Sequence, residues 1–204
     1  MKPIKVHWEI QRPTSNDIKQ MWSELAYEIL DGDFEFINLL RSNIGGRVYF
    51  KGFRLNENEV FDWFCSRGRL DEIDFETNFL LSDSVLKTFN SVEDDDFREA
   101  FQISKKPKLD WKSEFVIDGE LAALLFHGGA YGSAYKEQPK VIKDKAQRFC
   151  ADLFDEKYSN EYVRYYTSSS AWNTWFIDFI IDQTYLMICM ETRTLWLLAF
   201  TDTD

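Results

Sequence analysis

The sequence predicts an α+β fold: a single domain over residues 1–204, with a C-terminal three-stranded antiparallel meander packed by amphipathic helices. Apolar residues recur at three- and four-residue steps near residues 15–30 and 139–155, which is typical of amphipathic helices. The end of the chain holds three apolar runs separated by short polar breaks, the usual pattern of a meander. A chain of 204 residues is also long enough to bury a core.

The N-terminal part is predicted to mix strands and helices. A short strand is expected over KVHWEI, and a helix of about sixteen residues follows, with N-cap chemistry supplied by Thr14–Asp17. FEFINLL and RVYFKGFRL flank SNIGG, which predicts a hairpin around Asn43–Gly46. Two short helices are expected next, one in NENEVFDWFCSRG with Asn56 or Asn58 as its cap, and one in LSDSVLKTFNSV.

The middle of the chain carries less regular patterns. The acidic cluster Glu93–Asp96 fits either a solvated helix start or a contact patch, and the helix dipole favours the helix start. The stretch around Pro107, at residues 105–110, is the candidate joint between two subdomains. Beyond it, GELAALLF predicts a short helix with Asp118 near its cap, and a longer helix is expected to begin near Pro139.

The three C-terminal runs are SAWNTWFIDFII, YLMICME and TLWLLAFTDTD. A turn centred on Gln183 pairs Ile181 with Tyr185 and Phe179 with Met187. A second turn, centred between Thr192 and Arg193, pairs Met187 with Leu198 and Cys189 with Trp196. One face, called the Met187 face, then carries Trp175, Ile177, Phe179, Tyr185, Met187, Cys189, Trp196, Leu198 and Phe200. The other, called the Leu186 face, carries Phe176, Ile180, Leu186, Ile188, Met190, Leu195, Leu197 and Ala199. Because both faces are apolar, we expect both to be covered, by helices or by a partner.

Asp178 interrupts the Leu186 face, where it would stand near Ile188 and Leu197. A carboxylate in such surroundings needs a hydrogen-bonding or cationic partner, or its pKa rises. Asp178 is therefore the candidate catalytic acid. The alternative, which we favour, is an exposed position on the sheet edge or an ion pair with an arginine.

The stretch FHGGAYGSAY, from Phe126 to Tyr135, combines a histidine, glycines, a serine and tyrosines. The dinucleotide fingerprint GxGxxG, the P-loop and the GxSxG elbow are all absent from the sequence. The HGG triplet at residues 127–129 is predicted to end the preceding helix. Tyr131, Gly132 and Tyr135 stay as candidate binding residues, because a turn needs neither two tyrosines nor a third glycine.

Metal and cofactor chemistry has no local motif. CxxC and HExxH are absent, and His7 and His127 are the only histidines. We therefore predict no metal and no cofactor, and we favour a chain that is not an enzyme. Asp182 and Asp202 are expected on strands two spacings apart, too far to hold a cation without further ligands. The three cysteines are widely spaced among apolar residues, which predicts buried, reduced thiols.

Composition restricts the partners. The formal net charge of −11 repels phosphate backbones and anionic lipid, so neither nucleic acid nor membrane is an expected partner. No signal-like segment and no membrane-length apolar run is visible, so a cytoplasmic location is expected. The 18 Phe, 9 Tyr and 7 Trp exceed ordinary usage, and aromatic residues are enriched in protein interfaces as well as in cores.

Over at most about its last ninety residues, the chain resembles a group of uncharacterised bacterial proteins. The segments that carry the resemblance are GELAALLFHGGAYG, the run AWNTWF and the terminal TDTD. The resemblance implies a bacterial origin and no particular activity.

The sequence leaves two functions open. The first is a cytosolic protein-binding module, of the immunity or inhibitor type, for a basic partner. The second is a carboxylate-dependent enzyme or small-ligand-binding protein, with a pocket near Asp178 and residues 128–135.

Overall fold

A computed structural model describes residues 4–89, 102–128, 135–154, 162–176 and 182–202. The helices in these residues are α1 (Ser15–Glu24), α2 (Glu35–Asn43), α3 (Glu59–Cys65), α4 (Phe75–Leu80), α5 (Asp83–Phe89), α6 (Ile117–His127) and α7 (Pro139–Phe154). The strands are β1 (Tyr27–Leu30), β2 (Arg47–Leu55), β3 (Asp110–Lys112), β4 (Val163–Ser168), β5 (Gln183–Cys189) and β6 (Thr194–Thr201). They form one antiparallel sheet in the order β1-β2-β6-β5-β4-β3. The α+β class is therefore confirmed, and the sheet is larger than the predicted meander.

Both faces of the sheet are covered, as predicted. Buried residues of α1, α3, α4 and α5 form one core with the Leu186 face. Buried residues of α2, α6 and α7 form a second core with the Met187 face. Every residue of β5 and β6 that was assigned to a face lies in the core on that face. Two helical layers therefore enclose the central strands, which explains why β6 is buried along its whole length.

The predicted register of the C-terminal hairpin is wrong by two residues. Met187 pairs with Trp196 and Cys189 pairs with Thr194, because the turn is centred one residue earlier than expected. Arg193 takes a left-handed conformation with φ of 56° and leads into β6. Since side chains alternate with a period of two, this shift leaves each residue on its predicted face.

A C-terminal three-stranded meander is present as β4–β6, but its first strand is β4 and not the described part of the predicted run, residues 170–176. In the structure β4 pairs with β5, while residues 171–176 lie outside the sheet ladder, apart from one isolated bridge between Ile103 and Asn173. Trp172 and Trp175 are fully buried in the core of the Leu186 face, and the Trp172 indole donates to Thr184 Oγ1 at 3.0 Å. The aromatic run that resembles a strand therefore fills the core beside the sheet.

The N-terminal predictions need three corrections. The first helix ends at Glu24 rather than near residue 30, because β1 follows and pairs with β2. FEFINLL forms α2 instead of a hairpin strand, since its apolar residues bury at helical spacing. KVHWEI is not a strand; its described residues run as an irregular segment across the surface. Only Gly fits the turn between α2 and β2 at Gly46, where a Cβ would lie 2.0 Å from the Thr201 carbonyl oxygen.

Several local predictions are confirmed. Thr14 and Asp17 form a reciprocal capping box at the start of α1, and Asn58 accepts from the backbone of α3. Helix α7 begins at Pro139, and α6 ends with Gly128 at φ of 66°. All three cysteines are free and buried. The acidic cluster Glu93–Asp96 lies outside the described residues.

Because both faces are buried, truncating a core side chain on either face should lower the free energy of unfolding by a similar amount. Leu197→Ala creates a cavity in the core on the Leu186 face, and Leu198→Ala creates one in the core on the Met187 face. Both leucines are fully buried. Each substitution should lower the free energy of unfolding by about 2–5 kcal/mol, measured by urea denaturation. Ile29→Ala, at an exposed position on edge strand β1, is the control and should cost about 1 kcal/mol or less. A low cost at either leucine would contradict burial of that face.

Candidate functional site

The most developed surface feature is an irregular N-terminal segment, Ile4–Pro13, which we call the arm. Its backbone is held by side chains of α3 and the turn after it. The Trp63 indole donates to the Ile10 carbonyl at 3.0 Å, and Arg67 donates to the His7 carbonyl at 2.6 Å. At its start, the Ile4 N–H donates to the Glu191 carbonyl at 3.2 Å. The arm is therefore fixed at several points along its length.

A groove of about 1070 Å³ lies between the arm, the start of α1 and helix α3. We call it the arm groove. It is on the side of the sheet that carries the Leu186 face, since α1 and α3 belong to that layer. The lining residues are Ile4, Lys5, His7, Ile10, Gln11, Arg12, Pro13, Thr14, Asp17, Glu57, Glu59, Val60, Asp62, Trp63, Ser66, Arg67 and Arg193.

An ion pair between Asp62 and Arg193 forms part of the groove wall. Arg193 comes from the β5–β6 turn, and its side chain is only 4% exposed. Its Nε and Nη2 donate to the two carboxylate oxygens of Asp62 at 2.6 and 2.5 Å, a bidentate arrangement. The hydrogen bonds that Arg193 donates to Asp62 raise the pKa of the guanidinium, so the arginine stays charged. It ties α3 to the central hairpin of the sheet.

The Trp63 ring is flanked by two guanidinium groups. Arg67 lies 4.4 Å and Arg69 lies 5.2 Å from the ring centre. Arg67 also lies 5.3 Å from the ring of Trp8, on the arm. This arrangement connects the arm to α3 through cation–π contacts as well as hydrogen bonds.

The three arginines of the groove are engaged within the protein, whereas Lys5, Glu57 and Glu59 make no described hydrogen bond or ion pair. Arg193 is paired with Asp62, Arg12 with Glu72 at 2.7 Å, and Arg67 with backbone carbonyls. Glu57 and Glu59 are exposed, and neither has a hydrogen-bond or ion-pair partner among the described residues. The groove therefore offers two carboxylates to an incoming ligand, with Lys5 on the arm as a cation without a described partner.

The arm exposes three apolar side chains among its polar ones. Trp8 is 78% exposed, and Val6 and Ile10 are exposed as well. Exposed apolar residues that cluster in one segment are typical of contact sites, whereas isolated ones are not. The sequence pattern predicts a strand over KVHWEI and therefore does not indicate this site. The signal available in the sequence was a tryptophan among polar residues ahead of the first helix cap.

Of the residues predicted as functional, the structure describes only Tyr135. Asp178, Tyr131 and Gly132 lie outside the described residues. Tyr135 is described: it is half-buried and packs against the core of the Met187 face, across the sheet from the arm groove. Gly128 ends α6 by donating its N–H to the Leu124 carbonyl at 3.0 Å, so the structure gives it a helix-ending role.

The predicted separation of Asp182 and Asp202 is wrong. Asp182 directly precedes β5 and Asp202 directly follows β6, so they stand on adjacent strands at one end of the hairpin. Both are buried, and Asp182 accepts from the Thr201 hydroxyl at 2.5 Å. No cluster of three or more His, Cys, Asp or Glu able to hold a metal ion occurs within the described residues. The described helices also include none long and apolar enough to cross a membrane.

Glu76 is a buried acid that the sequence analysis did not identify. It lies on α4, is 5% exposed, and accepts from the Tyr166 hydroxyl at 2.6 Å. Burial raises its pKa, and the nearby Asp71 and Asp74 carboxylates add to the effect. Glu76 lines neither the arm groove nor the smaller cavity near Asp31, so its setting is that of a core residue.

The raised pKa of Glu76 predicts a pH-dependent stability. The folded state favours the neutral carboxyl, so this contribution is complete below the ordinary pKa of 4.5 and is lost as the pH rises through the higher folded value. Glu76→Gln keeps an acceptor for Tyr166 and removes the ionisation. In urea denaturation the variant should gain stability relative to wild type between about pH 4 and pH 7. A stability difference that stays constant or falls over this range would contradict the assignment.

No protein-family model, curated protein or solved structure matches the chain. The resemblance of the C-terminal part to a group of bacterial proteins therefore stays an expectation from the sequence. Function has to be inferred from the chemistry of the arm groove itself.

Proposed function

We propose that this protein is a protein-binding module for a basic partner, of the immunity or inhibitor type. The observation that carries the proposal is which charged groups of the arm groove have partners within the protein and which do not. Its arginines are engaged by the protein's own groups, while Glu57 and Glu59 remain exposed without a described partner. A lysine or arginine from a partner would form ion pairs with these carboxylates, and the net charge of −11 would favour its approach.

The apolar side chains of the arm support a protein as the partner. Tryptophan is prominent among residues that dominate binding energy in protein interfaces, and Trp8 is 78% exposed beside the groove. Val6 and Ile10 add apolar area on the same segment. A partner with aliphatic residues next to its basic residues would bury this surface and pair with Glu57 and Glu59 at the same time.

The size of the groove is compatible with a peptide segment. Pockets for small molecules have volumes of about 300–1000 Å³. The arm groove, at about 1070 Å³, lies at the upper end of this range and runs beside a ten-residue segment, Ile4–Pro13. It is therefore large enough to take part of an extended chain segment.

A defined peptide tests the proposal. The probe is a fluorescein-labelled peptide that alternates lysine or arginine with leucine, and binding is followed by fluorescence anisotropy. The wild-type protein should bind it, and binding should weaken as salt rises, because exposed charges are screened. The double variant Glu57→Lys/Glu59→Lys should lose about tenfold or more in affinity, and Trp8→Ala should weaken binding on its own.

The matched control is Glu137→Lys/Asp152→Lys. It changes the net charge by the same amount at exposed positions, near the start of α7 and within it, in the layer across the sheet. This control should lose much less affinity than the groove variant. Equal losses in the two double variants would mean that only net charge matters, and the groove would then not be the site. Absence of binding at low salt would contradict the proposal altogether.

A further inference from the structure

The sheet ends on one side with a short strand, β3, which pairs only with β4 in the part of the chain that the structure describes. No described strand pairs with its outer edge, and the backbone groups of such an edge can pair with another strand. Proteins commonly protect such edges with charged side chains and short strands. In β3 the charges are arranged in a further way: they are self-complementary.

The self-complementarity appears when β3 is placed antiparallel to a second copy of itself about a two-fold axis at Trp111. Asp110 of each copy then lies opposite Lys112 of the other. Continuing outward, Leu109 lies opposite Ser113, whose backbone is extended with φ of −68° and ψ of 135°. Opposite charges directly across an antiparallel pair stabilise it, and like charges destabilise it.

The flanking residues repeat the pattern. Lys108 and Glu114 stand three positions on either side of Trp111 and carry opposite charges in the same sense, although Glu114 already begins a short 3-10 helix, Glu114–Val116. None of Lys108, Asp110, Lys112 and Glu114 has an ion-pair partner among the described residues. The charges of this edge are therefore available to a second copy.

The apolar residues of the edge fit the same arrangement. Trp111 is 60% exposed, although it belongs to a strand, and a two-fold axis at this position would place the two Trp111 rings side by side. Phe115 is 72% exposed just beyond the strand, and Val116 follows it. An exposed edge strand bordered by exposed aromatic residues marks an interaction surface.

We propose that two copies of this chain associate through β3, joining their sheets into one continuous antiparallel sheet across a two-fold axis at Trp111. Such an interface is isologous, because the same segment contributes from both copies. This proposal is independent of the arm groove and its basic partner. Since the contact is built on one short strand and its flanks, the dimer belongs to the small, weak class of interfaces and dissociates on dilution.

Charge-swapped variants test the proposal by sedimentation velocity. The wild-type chain should shift from monomer to dimer between about 1 and about 100 micromolar, the range expected for a weak interface. Asp110→Lys places lysine opposite Lys112, and Lys112→Glu places glutamate opposite Asp110, so each single variant alone should stay monomeric. Trp111→Ala should also weaken the dimer.

Mixing the two single variants is the decisive experiment. In a mixed pair, the lysines of one variant face the acids of the other, so dimers should reappear although neither variant forms them alone. The double variant Asp110→Lys/Lys112→Asp restores the self-complementary pattern and should dimerise by itself. Circular dichroism checks that each variant is folded. A wild-type chain that stays monomeric over the whole range overturns the proposal, and so does a dimer that is unaffected by the single charge reversals.

Discussion

The burial of β5 and β6 on both faces is the constraint on which the rest of the structure depends. All eight residues of β6 are buried, with alternate side chains entering the cores of the Leu186 and Met187 faces. A strand of this kind cannot face water on either side, so each face needs its own layer of helices. The abundance of aromatic residues follows from this demand, because large rings fill two cores around one thin sheet.

The same constraint positions the arm groove. Helix α3 packs on the Leu186 face through Phe61 and Phe64, which leaves Asp62 free to reach the hairpin turn and bind Arg193. Trp63, on the same helix, then holds the arm through the Ile10 carbonyl. The groove is thus built on the central hairpin through one short helix, and its shape depends on that packing. Its outward charge depends instead on exposed residues that make no contribution to the cores.

Sequence patterns predicted what depends on local chemistry or on side-chain alternation. The capping box at Thr14, the start of α7 at Pro139 and the faces of β5 and β6 all follow from such rules. Sequence patterns failed where tertiary pairing decides between alternatives. Residues 27–30 fit a helix as well as a strand, and only their pairing with β2 selects the strand. The arm groove joins segments distant in sequence, so no local motif could predict it.

Native-state hydrogen exchange tests most directly the claim that the doubly covered hairpin supports both helical layers. The backbone amides of β5 and β6 should be the slowest to exchange, and they should open only with the free energy of global unfolding measured by urea denaturation. Buried amides of α3 and α7, one from each layer, should approach the same limit. Exchange of the β5–β6 amides through an opening well below the global free energy, with either helical layer still protected, would contradict the account.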